Sequence, residues 1–252
     1  MPYFRYNNNN IHFTKTGEGP LLIIMPGNTA SSAAHAGDLK HFSDRFTTAA
    51  IDFLGTGRSD RIGRWPVNWW DEAGSQAAAL VEHLGFGSAS LLGVSGGAIA
   101  ALSAAARFGT LFDAVVADSF SMTFTEPMFS RNVLSERSGP DDQQKGFWAA
   151  MHGSDWADVV ENDTEMIRSV VDGGGRCCSA RLQDIGCPVL LTYAEGDSFI
   201  PDAAAVAEET AAGIPDCRLL LEPGGGHPLI WTKPAAFYGA ADGFLNEAVL
   251  CI

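Results

Sequence analysis

Short, largely apolar runs recur along this chain between stretches of helical periodicity. Residues 21–25 form the first. A run that is apolar at every position is the mark of a strand covered on both faces. Residues 46–53, 90–94, 112–117, 189–193 and 218–221 continue the series. Residues 3–6 and 11–14 instead alternate apolar and polar positions around the asparagines 7–10, which predicts a hairpin. The stretches between the runs read as helices. Asn68 can cap one, with Ala73, Ala77, Leu80, Val81 and Leu84 at helical spacing. Residues 97–108 are rich in alanine, residues 201–212 open with proline, and residues 235–250 close the chain. Strands alternating with helices predict an α/β fold with a mostly parallel sheet and helices on both faces.

Residues 121–180 break this alternation. No buried strand is apparent there, and the segment carries ten acids, five bases and many aromatic and methionine side chains. A structureless loop of about 60 residues is improbable in a compact domain. The expected organisation is therefore a core of residues 1–120 and 181–252 with a helical cap inserted at 121–180.

With 252 residues and 46% hydrophobic against 18% charged positions, the chain can bury a large core. A net charge of −14 argues against nucleic acid and anionic lipid as partners, because both need clustered cations. A small-molecule substrate is the expected partner, and self-association is left open. Residues 84–106 carry no charge, yet glycines and serines interrupt them, so a strand followed by a small-residue helix explains them better than a membrane span. The five cysteines lack metal spacing, and their odd count suits free thiols. The first ten residues hold no apolar run of a secretory signal. A reducing, cytoplasmic setting follows. Adjacent Cys177 and Cys178 could sense redox state, but bystander thiols are the simpler reading.

The most specific chemical signal is Gly93-Val94-Ser95-Gly96-Gly97, a G-x-S-x-G placed between a predicted strand and a predicted helix. That context suits a nucleophile elbow, in which a strained turn projects the serine hydroxyl beyond the sheet. The alternative is a glycine-rich packing turn. A serine needs a base, and of six histidines only His227 follows the last strand, in a glycine-rich loop. The base needs an orienting acid. Asp197, just after the 189–193 run, is favoured over Asp118, which ends the 112–117 run. The order Ser, Asp, His suits this architecture. The oxyanion of acyl transfer needs two N–H donors. Gly96 is one candidate. Asn28 in Pro26-Gly27-Asn28-Thr29 is the other, with Gly27 and Thr29 as neighbours able to replace it.

These motifs resemble the α/β-hydrolase superfamily across nearly the whole chain, in the layout of capped esterases and biphenyl-hydrolase-like enzymes. Residues 52–59 resemble the family's D-x-x-G-x-G-x-S turn, for which a structural role is expected. Residues 197–201 resemble its D-x-x-[IV]-P acid loop. Gly226-His227, Lys233-Pro234 and Phe244-Leu245 resemble its histidine loop and closing helix. The chain also departs from relatives. It has Pro26 where many carry histidine. It has Ser95 where dehalogenases and many epoxide hydrolases use aspartate. Val94 stands where carbon–carbon hydrolases usually show asparagine. Gly96 replaces the acid with which biphenyl-hydrolase-like aminoacyl esterases hold an ammonium.

The reading is a serine hydrolase of a small or medium, partly apolar carboxylic ester, acting through an acyl-enzyme on Ser95, Asp197 and His227. Gly96 and Asn28 form the oxyanion hole, and Phe120, Trp148 and Trp156 are pocket candidates. No metal or other cofactor is expected. Lactonase, thioesterase, carbon–carbon hydrolase and cofactor-free perhydrolase share the triad. A ligand-binding protein with a vestigial triad is the non-enzymatic alternative.

Overall fold

The computed structural model describes residues 2–250; Cys251 lies outside the described residues. Among the described residues eight strands form one sheet. They are β1 (Tyr3–Tyr6), β2 (Asn9–Thr16), β3 (Leu21–Met25), β4 (Thr47–Ile51), β5 (Ala89–Val94), β6 (Phe112–Asp118), β7 (Val189–Ala194) and β8 (Cys217–Glu222). Their order is β1-β2-β4-β3-β5-β6-β7-β8, antiparallel from β1 to β4 and parallel from there on. The β1–β2 hairpin turns on Asn7 and Asn8, both at positive φ (46° and 66°), a conformation that asparagine tolerates.

Among the described residues ten α-helices accompany the sheet: α1 (Ala36–Phe42), α2 (Trp69–Leu84), α3 (Gly96–Phe108), α4 (Glu126–Met128), α5 (Ser135–Arg137), α6 (Asp142–His152), α7 (Trp156–Asp172), α8 (Ala203–Ala212), α9 (Leu229–Thr232) and α10 (Pro234–Leu245). Every residue of β3, β4 and β5 is buried. Alternate side chains serve opposite faces. Leu22, Ile24, Leu92 and Val94 pack with Leu39, Phe42, Phe237 and Phe244. Leu21, Ile23 and Leu91 pack with residues of α2 and α3. Each such aliphatic side chain contributes about 1.5–3 kcal/mol on burial. The charge-free stretch 84–106 resolves into β5 and α3. No helix among the described residues is long and apolar enough to cross a membrane.

Three local expectations need correction. Asn68 precedes α2 but makes no side-chain cap; its amide turns to Glu72 Oε1 at 3.5 Å. Pro201 stands before α8, which begins at Ala203 after Asp202 turns at positive φ. The last run, β8, is half exposed, because a sheet edge has a partner on one side only.

Between β6 and β7 the chain runs through α4, a π-helical stretch (Phe129–Leu134), α5, α6 and α7. The two ends of this excursion are tied together. Thr123 bridges Arg176, Phe124 N–H donates to Gly175 O at 2.8 Å, and Cys177 N–H donates to Met122 O at 3.1 Å. Cys177 and Cys178 are free and buried, and burial pushes the Cys178 thiol up to about 11. The reactive thiolate is therefore disfavoured, as in bystander cysteines.

Candidate active site

The β5–α3 junction places Ser95 at φ 54°, ψ −120°, a strained conformation for a residue with a side chain. Gly93 and Gly97, two positions to either side, must lack a Cβ. A Cβ on Gly93 would lie 2.4 Å from Gly97 O, and one on Gly97 would lie 2.0 Å from Met25 O. Strand and helix meet too closely for any larger residue. Ser95 N–H donates to Asp118 O at 2.7 Å, which locks the turn onto β6.

His227 follows β8 and reaches the same edge. Its Nε2 lies 2.9 Å from Ser95 Oγ, and its Nδ1 lies 2.8 Å from Asp197 Oδ2. Asp197 Oδ1 accepts from Phe199 N–H (2.9 Å) and Ile200 N–H (3.3 Å), so the buried carboxylate is fixed by its own loop. The Phe199 ring stacks on the imidazole at 4.8 Å. With Nδ1–H donating to Asp197, Nε2 presents its lone pair to the serine hydroxyl.

Asp118, the rival acid, lies elsewhere. Its oxygens accept from Thr192 Oγ1 (2.7 Å), Ser119 Oγ (3.1 Å) and Ile230 N–H (3.1 Å). Ser119 Oγ also accepts from Leu229 N–H at 2.9 Å. The pair therefore holds the first turn of α9, just beyond His227. Burial pushes the Asp118 carboxyl up to about 6 against the pull of its hydrogen bonds.

Asn28 and Gly96 both line the cavity at Ser95. Among the described residues neither has a hydrogen-bond partner for its backbone N–H. The Asn28 side chain is held twice. Its Oδ1 accepts from Trp70 Nε1 at 3.2 Å, and its Nδ2 donates to Asp163 Oδ1 on α7 at 2.5 Å. Gly96 makes room for it: a Cβ there would stand 1.6 Å from Asn28 Oδ1. That close approach leaves no room for a larger residue at this position. Gly27 also abuts the site, 3.1 Å from Ser95 Cβ if given its own Cβ, and Thr29 turns at positive φ.

Ser95 stands between an inner cavity of about 30 Å³ and an outer basin of about 740 Å³. Phe120 lines the inner cavity with Ile99, Phe124, Met128 and Ile167. Trp148 lines the basin with Phe147 and Trp231. Trp156 lines neither; it stacks on Trp148 at 5.5 Å, because it opens α7 while Trp148 faces the basin from α6. Sequence reasoning also missed Arg137, Asp163 and Phe199. Asp163 had a legible signal: it sits on the apolar stripe of α7 with Val159, Val160, Met166, Ile167 and Val170. A carboxylate there requires a partner.

The turn at 52–59 is structural. Asp52 accepts from His12 Nδ1 (2.9 Å), Arg58 N–H (2.9 Å) and Ser32 N–H (2.6 Å). Burial alone would raise its carboxyl, but these bonds outweigh it and hold it below the usual range. His152, the last residue of α6, ties that helix to this turn. Its Nδ1 accepts from Gly57 N–H and its Nε2–H donates to Thr29 O, each at 3.0 Å. The bond from Gly57 needs an unprotonated Nδ1, and burial pushes the imidazole down to about 4. The unfolded chain takes up this proton near pH 6.5, whereas the folded chain resists it until about 4. The stabilisation is therefore whole above pH 6.5 and is lost as pH falls to 4, by up to about 3 kcal/mol. Thermal midpoints should fall more steeply over that window for the wild type than for His152→Gln; parallel curves would refute this.

Comparison with known proteins follows the same lines. The Alpha/beta hydrolase family profile matches residues 22–240. A 2-(acetamidomethylene)succinate hydrolase of Mesorhizobium japonicum is 27% identical, over 94% of this chain and 91% of its own. Serine hydrolase BPHL of Homo sapiens is 29% identical, over 94% of this chain and 83% of its own. The crystal structure of an E-2-(acetamidomethylene)succinate hydrolase, 23% identical, superposes with a TM-score of 0.76 over 95% of this chain and 96% of its own.

Proposed function

This chain belongs to the alpha/beta hydrolase family, and from that premise we propose that it is a serine hydrolase cleaving carboxylic esters with a small or medium, partly apolar acyl group. The observation that carries the reading is the unbroken chain Ser95–His227–Asp197, with links of 2.9 and 2.8 Å. His227 Nε2 takes the hydroxyl proton as Ser95 Oγ bonds to the acyl carbon. The carbonyl electrons move to oxygen, which the N–H groups of Gly96 and Asn28 receive. Collapse breaks the ester C–O bond, and His227 hands its proton to the departing alcohol. Water then attacks the acyl-enzyme, giving a proton to His227, and the acid leaves as Ser95 regains its hydrogen.

Residues 121–180 serve as the cap in this reading, and Phe120 and Trp148 as pocket walls. A relative that bears the name serine hydrolase supports the choice of nucleophile. The free thiols support the expectation of a reducing, cytoplasmic setting. A fluorophosphonate probe tests the assignment. Mass spectrometry should find one adduct per chain, on the peptide that holds Ser95. No adduct, or one elsewhere, overturns it and favours a ligand-binding protein.

A further inference from the structure

Beyond the triad, the inner cavity at Ser95 is lined by a single cation among the described residues, Arg137, while Arg131 adds another on the rim of the basin. Arg137 ends α5, and its guanidinium lines both the inner cavity and the outer basin. Its side chain is only 10% exposed. A cation so removed from water costs several kcal/mol unless it is paired. The pairing is built in. Nη2 lies 2.7 Å from Asp163 Oδ2, and Nη1 donates to Thr164 Oγ1 at 2.7 Å. Both partners lie on α7, so one rigid element sets the plane of the guanidinium. A guanidinium carries five N–H donors. Among the described residues, those of Arg137 not turned to Asp163 and Thr164 have no partner.

Much of the inner wall is apolar, with Ile99, Phe124, Met128 and Ile167 beside the guanidinium. Fixed donors in such a wall discriminate strongly, because a substrate without an acceptor leaves them unpaired. The acceptor that best matches a planar fork is a carboxylate, which takes two parallel N–H bonds. The net charge of −14 repels anions at long range. That repulsion is screened beyond about 8 Å at physiological salt, whereas contact pairing inside a cavity is not.

We propose that Arg137 is the specificity-determining residue of this site, and that the acyl part of the substrate carries a second, free carboxylate that seats on its guanidinium while the acyl carbon meets Ser95 Oγ. The inference rests on the reading of Ser95 as nucleophile and names its substrate class.

The test compares half-esters of dicarboxylic acids with neutral esters of matched length. Monomethyl glutarate and monomethyl adipate are set against methyl valerate and methyl hexanoate, with kcat/KM read by pH-stat titration. The wild type should prefer the half-esters by about tenfold or more, the ratio expected of one added charge-assisted pair. Arg137→Gln should bring the ratio to one or below, and Arg137→Lys should keep part of it. Arg137→Gln strands the Asp163 charge and can cost the fold. The double variant Arg137→Gln/Asp163→Asn removes both charges together, and its ratio should collapse as well. A wild-type ratio near one, or a ratio retained in the double variant, overturns the proposal and leaves Arg137 as a counterion for Asp163. Turnover that persists in Ser95→Ala overturns the underlying reading instead. Turnover of neither ester set counts against both.

Discussion

Ser95→Ala should lower kcat for a simple ester by about 10⁴–10⁶-fold while KM stays within a few-fold. The substitution removes one oxygen from a chain whose other links are held independently. Asp197 is fixed by Phe199 and Ile200 N–H groups, and His227 by its bond to Asp197 and by the ring of Phe199. The cavity walls keep their places, so binding should persist. Residual hydrolysis would come from the N–H groups of Asn28 and Gly96 acting on bound ester attacked by water. The backbone at position 95 is strained with either residue, so the thermal midpoint should move little. Initial rates with p-nitrophenyl acetate, beside a thermal melt, measure both quantities. A variant that keeps a tenth of the wild-type rate would remove Ser95 from the chemistry.

The second large effect separates two acids. Asp197→Asn should lower kcat by about 10⁴-fold, because an amide does not stabilise the imidazolium and can turn an N–H toward Nδ1, imposing the wrong tautomer. Asp118→Asn should stay within about tenfold. Asp118 is wholly buried, and its hydrogen bonds run to Thr192, Ser119 and Ile230 rather than to the imidazole. Burial pushes its carboxyl up to about 6, so its charge is costly to hold, and removing that charge offsets part of the hydrogen bonding the amide gives up. Rates of both variants from pH 6 to 9 decide the matter. A severe loss in Asp118→Asn with near-normal Asp197→Asn would exchange the two roles.

The glycines around Ser95 illustrate what could be read locally. A G-x-S-x-G between an apolar run and an alanine-rich stretch needs only neighbouring residues to be recognised, and strand, turn and helix all formed there. The asparagine hairpin and the apolar runs were legible for the same reason. Chain ends of elements were less so. Asn68 has a capping side chain but spends its amide on Glu72, and Pro201 stands outside the helix it was expected to open. Asn68 lies at φ −92°, ψ 32°, outside the extended conformation a capping residue takes, and the left-handed turn at Asp202 delays α8 to Ala203.

Trp156 and Asp163 mark the opposite limit. Composition placed Trp156 among pocket aromatics, yet it stacks on Trp148 instead. Asp163 looks like one of many acids in a polar segment, yet it is wholly buried between Asn28 and Arg137, residues 135 and 26 positions away. Identity, spacing and periodicity thus carried the element types, the tight turn at Ser95 and the candidate set Ser95, Asp197 and His227, because these depend on short-range sterics and alternating burial. The strand order, the hydrogen bond that joins His227 to Asp197, and the charged pair in the cavity wall emerged only with the tertiary structure. Such pairings join residues far apart in the chain, and apolar strands resemble one another too closely for sequence to say which of them meet.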